Sequence, residues 1–283
     1  MTAVTLMGTK GGPAVRAGGA MPTSSLIEIA GRQIVVDCGL GVTRGLVNAG
    51  VALKDLDTIF ITHLHSDHYL ELGPLMHTAW TSGLATPVRL IGPKGLGDYW
   101  RHFIAAMDFD VSLRIEDEGR PDLASLLDIR ALDAGEVLDE DGLVVRALRN
   151  EHPPIVDSFA LRFDHGGQAV VFSGDTAFFP PLVDFARGAD LMVHEAMLST
   201  AVDYIMAKTG NVDNRLRVHL ERSHSLPVEA GRIAAQAGVK ALAFHHLIPT
   251  DDPAITRAHW EGELRESWDG PFHLGHDGMR IEL

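Results

Sequence analysis

His63-Leu64-His65-Ser66-Asp67-His68 puts four ligand-type side chains into six residues. Ahead of it residues 57–62, DTIFIT, form a short apolar, β-branched run that reads as a strand and delivers the chain into His63 at its end. While the backbone stays extended, His63 and His65 point the same way and can share one ion. Asp67 and His68 follow after the chain turns and can reach a second. The bland alternative is a hydrogen-bonded polar turn. It fails on chemistry, because imidazoles clustered without a metal would leave buried nitrogens unsatisfied.

Outward from that loop, strands and helices alternate. Residues 26–37, LIEIAGRQIVVD, are two apolar runs around Gly31 and read as a hairpin ending at Asp37. Helices are predicted over 71–84 and 97–107, and strands over 88–91 and 143–148. The second half repeats the pattern: strands over 158–163 and 169–173, the latter running into Asp175, a helix near 181–187 and a strand over 191–194. Ser225 is predicted to cap a helix with Pro227 in its first turn and Gly238 at its close. A strand over 241–244 then runs into His245 and His246, and a last helix over 252–268 precedes a short C-terminal strand. The polar, charge-rich stretch 201–222 reads as a surface excursion or a lid.

Bulk properties narrow the function. A chain of 283 residues, 46% apolar, can bury a large core, and residues 1–283 are expected to form a single domain. Acidic residues outnumber basic ones 38 to 24, for a formal charge of −14, which repels a nucleic acid unless a local basic patch overrides it. Small-molecule substrates are therefore expected and nucleic acid is unlikely. One cysteine, Cys38, allows no internal disulfide and fits a cytoplasmic location and a buried structural thiol. No secretory leader and no membrane-spanning run is apparent. The glycines of 8–19 lack the GxxxxGK[ST] pattern, with Lys10 on the wrong side of Gly11-Gly12, and read as turns near the site.

The H-x-H-x-D-H segment resembles the hallmark of the metallo-β-lactamase superfamily. GTKGGPAVR, VVDCGLG, IFITHLHSDH, EHPPIVDSFALRF, FSGDT, MVHEA, SHS and FHHLIP follow in the order of its ribonuclease Z-like branch, which includes arylsulfatase-like relatives. The resemblance implies an α/β fold, an αββα sandwich with metals at one edge. It also implies a ligand set: His63, His65 and His152 for one metal, Asp67, His68 and His246 for the other, and Asp175 bridging. Two divalent ions per chain follow, with Zn²⁺ favoured by the ligand mix and Mn²⁺ or Fe²⁺ admitted. A homodimer is suggested by the same branch.

Such a site implies a dinuclear-metal-dependent hydrolase in which a metal-bridging hydroxide attacks and Asp67 handles its proton. By resemblance His224 assists the leaving group and Glu195 orients its ring. Asp37 is either an acceptor behind a ligating histidine or a turn former. His245 is expected on the opposite face of its strand, and His194 in a structural role. His77, His102, His165, His219, His259, His273 and His276 match no motif and read as surface or structural. Two departures, Leu226 in place of the threonine of the HST element and the lack of a basic tRNA-clamping arm, favour a small ester: carboxylic or lactone, sulfuric, or phosphodiester. A ribonuclease Z-like RNA-processing nuclease is the alternative. Redox relatives carry Glu where His65 stands.

Overall fold

A computed structural model describes residues 1–209 and 213–283. The first sheet is built from β1 (Ala3–Gly8), β2 (Ser24–Ile29), β3 (Arg32–Val36), β4 (Thr58–Phe60), β5 (Val88–Gly92) and β6 (Leu127–Ala131), with the C-terminal β14 (Met279–Glu282) on its edge. Its order is β14-β1-β2-β3-β4-β5-β6, antiparallel up to β3 and parallel from there. The second sheet holds β7 (Gly135–Glu140), β8 (Leu143–Arg149), β9 (Phe159–His165), β10 (Gln168–Phe172), β11 (Leu191–Met197), β12 (Ala241–Ile248) and β13 (Phe272–Leu274). It repeats the scheme in the order β13-β12-β11-β10-β9-β8-β7, with β10 to β13 parallel.

The sheets pack face to face. Ile27, Ile34, Val36 and Phe60 of the first meet Phe159, Phe163, Val170 and Phe172 of the second, and Phe60 and Phe163 stand edge to face at 5.5 Å. Each such side chain, fully removed from water, contributes roughly 1.5–3 kcal/mol. The outer faces carry helices: α1 (Val42–Asn48), α2 (Ser66–Tyr69), α3 (Leu72–Thr81), α4 (Leu96–Ala106) and α5 (Asp108–Glu118) on the first side; α6 (Leu182–Phe185), α7 (Ala201–Thr209), α8 (Arg215–Ser223), α9 (Pro227–Ala237) and α10 (Arg257–Leu264) on the second. The architecture is the expected αββα sandwich. Among the described residues no helix is long and apolar enough to cross a membrane.

Several local expectations are corrected. The β2–β3 hairpin turns at Ala30 and Gly31, both at positive φ (55° and 73°), as a two-residue turn requires. Ser225 does not cap α9. Its hydroxyl donates to Thr176 O at 2.6 Å, while the Glu229 carboxylate accepts from the Leu226 N–H at 2.8 Å and Pro227 opens the helix. The helix expected over 252–268 is confined to α10, behind Thr256. The stretch 201–222, of which residues 210–212 lie outside the described ones, holds α7 and α8. Val202, Ile205 and Met206 on α7, and Leu216 and Leu220 on α8, recur at helical spacing and face inward, so the irregular reading missed a period that was present.

Candidate metal centre

The site lies outside the carboxyl ends of the parallel strands, where neighbouring loops converge. β3 ends into Asp37, which has φ 64°, so it is a turn residue as well as an acceptor. Its carboxylate takes the Thr62 N–H at 2.8 Å and sits 2.8 Å from His68 Nδ1. That contact fixes the His68 ring with Nε2 turned to the cluster. β4 leads into His63, and the short α2 turns Asp67 and His68 inward.

Two groups of donors result. His63 Nε2 lies 3.1 Å from His65 Nδ1, and His152 Nε2 lies 2.9 Å from the same atom. On the other side, Asp67 Oδ2 is 3.2 Å from His246 Nε2 and 3.7 Å from His68 Nε2. Asp175 Oδ2 stands between them, 3.0 Å from His246 Nε2, 3.3 Å from His68 Nε2, 3.7 Å from His63 Nε2 and 3.9 Å from His152 Nε2. Four imidazoles from both groups thus face one carboxylate oxygen.

These donors fit divalent ions. Tetrahedral bonds of about 2.0–2.1 Å separate neighbouring nitrogens by about 3.3 Å, close to the spacing of His63, His65 and His152. His68 Nε2 and Asp175 Oδ1 are buried without a hydrogen-bond partner of good geometry, as atoms reserved for a ligand would be. Charge agrees. Burial pushes His65 and His152 down to about 4 and His63 well below the ordinary imidazole range, so these three stay neutral and ready to ligate. Burial opposes protonation of His246 too, yet Asp175 and Asp67 raise it to about 10; Asp175 and Asp37 likewise lift His68. The carboxylates demand positive charge beside them, which a divalent ion supplies in place of those protons.

His246 reaches the centre through a β-bulge. β11 and β12 pair Glu195 with His245 and then Ala196 with Leu247, so His246 is the extra residue, at φ 45°. His245 turns away, buried, with its ring 6.4 Å from Phe172 and its Nδ1 without a partner. Burial holds its pKa at about 3.

Glu195 and His224 stand beside this cluster. Glu195 is fully buried, and its Oε1 accepts from the Thr176 and Ser225 N–H groups at 3.0 and 3.2 Å and lies 3.1 Å from His224 Nδ1. The His224 ring is thereby held against His246, near-parallel at 5.4 Å between centroids. His194 faces elsewhere, with Nδ1 2.6 Å from Glu195 O.

A cavity of 340 Å³ opens over the cluster, lined by His65, Asp67, Asp175, His224 and His246 and walled by α7, α8 and the loop after β1. One residue was missed. His219, read as surface or structural, lines this cavity from α8, its ring edge-on to His65 at 5.6 Å. Its position between Leu216 and Leu220 was the available signal. Of Trp80, Phe109, Phe178, Phe179 and Tyr204, Tyr204 lines the cavity, Trp80 is core and Phe109 is 84% exposed.

Residues 3–217 match the family model "Anti-Pycsar protein Apyc1". Ribonuclease Z of Mycobacterium sp. (strain KMS) is 33% identical over 287 aligned residues, covering 100% of this chain and 96% of that protein, and Ribonuclease Z of Mycobacterium bovis (strain BCG / Pasteur 1173P2) is 30% identical over 286. Among solved structures, the metallo-β-lactamase fold protein YhfI from Bacillus subtilis superimposes with a TM-score of 0.73 at 20% identity, covering 99% of this chain and 98% of its own. Human tRNase Z, short form, gives 0.68 at 23%, with the same coverage. The chain belongs to the metallo-β-lactamase superfamily, in its ribonuclease Z-like branch. It is a metal-dependent hydrolase.

The relatives overturn one expectation, that the substrate is a small molecule and nucleic acid unlikely: full-length relatives at 30–33% identity are named for acting on RNA. The physical error lay in reading the net charge of −14 as if it applied everywhere. The cavity wall carries Lys10, Arg16 and Lys208 against a single further carboxylate, Asp251, and the local field, not the sum, meets the substrate.

Proposed function

We propose that this chain is a ribonuclease Z-like phosphodiesterase that cleaves RNA in the cavity over the His/Asp cluster. The observation that carries the reading is Asp175 Oδ2, within 4 Å of imidazoles from both donor groups. In this reading residues 1–283 act as one domain, located in the cytoplasm and paired as a homodimer. His63, His65 and His152 would hold one ion and Asp67, His68 and His246 the other, with Asp175 shared. Zinc suits this mix of imidazole and carboxylate best, with Mn²⁺ or Fe²⁺ as alternates. Bound there, two such ions acidify a water and offset charge on the attacked phosphorus.

The chain's own groups do the rest. Asp67, its Oδ2 fixed by the Gly12 N–H at 2.7 Å, takes the proton of the attacking water. His224, held through Nδ1 by Glu195, presents Nε2 to the departing oxygen and protonates it. The cavity walls exclude bulk water, which strengthens both interactions. The test is cleavage of a 3′-extended tRNA by purified protein, with elemental analysis of the same sample. Two ions per chain and cleavage abolished by chelation are expected. Intact RNA in the presence of fully metal-loaded protein would sink the reading.

A further inference from the structure

Lys10 is 8% exposed, and no other Lys or Arg among the described residues is buried. Its Nζ donates to Gly11 O at 2.8 Å and more weakly to Gly12 O at 3.4 Å, and no described carboxylate lies within 4 Å of it. An ammonium taken out of water and balanced by carbonyl dipoles alone is costly, and one of its three donors is left for something else. Burial lowers its pKa, while Asp251 and Asp67 pull the other way.

The position of this cation is set by the centre itself. Gly12 N–H donates to Asp67 Oδ2 at 2.7 Å, and a side chain at Gly11 would come within 2.9 Å of the His246 ring, so the loop is pressed against two candidate ligands. Only glycine allows that approach. At the cavity mouth Arg16 and Lys208 share Asp251, at 2.5 and 3.0 Å. Three cations against Asp251 leave this wall positive in a protein of net charge −14.

We propose that Lys10, backed by Arg16 and Lys208, seats a second phosphate of the RNA substrate, the one flanking the phosphate that is cut. The inference rests on the RNA reading above and adds where the strand's next charge is held. An RNA chain carries one phosphate per nucleotide, so a strand whose scissile group lies over the His/Asp cluster brings a neighbouring phosphate to the adjoining wall. The charged Nζ, with a free donor and a fixed carbonyl cradle, matches a non-bridging phosphate oxygen.

The experiment uses a short single-site RNA in which the phosphate on either side of the cleavage point is replaced, in turn, by an uncharged methylphosphonate. Against wild-type protein one of the two replacements is expected to raise KM roughly tenfold or more, with a smaller change in kcat. In Lys10→Met that penalty should nearly vanish, because the natural RNA is already bound weakly, and in Lys10→Arg it should largely persist. Melting temperature and metal content report whether each variant is folded. If Lys10→Met does not fold, Arg16→Gln, at the exposed mouth, is read in the same way and should lose part of the penalty. An unchanged methylphosphonate penalty in a folded Lys10→Met, or in Arg16→Gln where that stands in for it, overturns the seat while leaving RNA cleavage standing. Failure of metal-loaded wild type to cut the natural RNA removes the RNA reading, and the seat with it.

Discussion

The two sheets contribute to the centre by different routes. The first delivers His63, His65, Asp67 and His68 in one six-residue loop, with Asp37 bracing His68 from behind. The second sends His152, Asp175 and His246 from three separate strand ends, and Glu195 and His224 from two more places. The geometry of the first group is fixed by the local turn after β4. That of the second is fixed by strand register and sheet packing, and exists only when the fold is complete. Asp175 is where the two kinds of placement touch.

If that difference is real, the largest loss should come from Asp175. Asp175→Ala is expected to lower kcat by roughly 10³ or more and to reduce metal content for both donor groups, because no other carboxylate oxygen faces both. Elemental analysis and turnover on one sample measure it. Retention of both ions would show that the groups bind independently and would break the comparison.

His224 sharpens it, being dispersed yet outside the proposed ligand set. His224→Ala should lower kcat by roughly 10² with metal content and melting temperature unchanged, as a group acting mainly in the transition state would. An unchanged kcat with a lowered melting temperature would make it a structural residue of the turn before α9.

The smallest effect belongs to His194, a neighbour of Glu195 directed away from the cluster. Burial holds its imidazole below the ordinary 6.5, so as pH falls past 6.5 the unfolded chain takes up a proton that the folded chain refuses. The stabilisation is complete above pH 6.5 and is lost on acidification. Chemical unfolding of His194→Gln across pH 4 to 7 should show a shallower loss than wild type, by up to about 1.4 kcal/mol per pH unit, with kcat nearly unchanged. Identical pH slopes would mean that His194 is not the group refusing the proton.

The same contrast explains what could be read from the sequence. The loop 63–68 was legible from its residues alone, because all four donors lie within one turn of chain. His152, Asp175 and His246 could be named only by resemblance, since nothing in their spacing says which strand ends meet. The sandwich was legible as alternating apolar runs, and most strands fell within a few residues of their predicted places. The role of Ser225 was misjudged because its hydroxyl prefers a carbonyl on a neighbouring loop, a tertiary partner invisible to local capping rules. His219 escaped because charged residues on the outer face of α8 hid a short apolar stripe. The substrate class was misjudged because a sum over the whole surface conceals a small region of opposite sign.

The extra residue in β12 makes that strand's alternation two-phased. Up to His245 side chains follow one parity, and from Leu247 on the other, with His246 as the hinge between counts. A single-residue deletion there would therefore do more than remove a histidine. It would restore one continuous parity and turn Leu247, Ile248 and everything downstream to faces they do not now occupy. The adjoining loop after β1, whose Gly11 N–H is bonded to Leu247 O and whose Thr9 O accepts from the Leu247 N–H, would lose its anchor in the same stroke. A length change is thus more damaging at this point than any substitution of the same residue, and insertions or deletions in this strand should be rejected even where histidine itself is exchangeable.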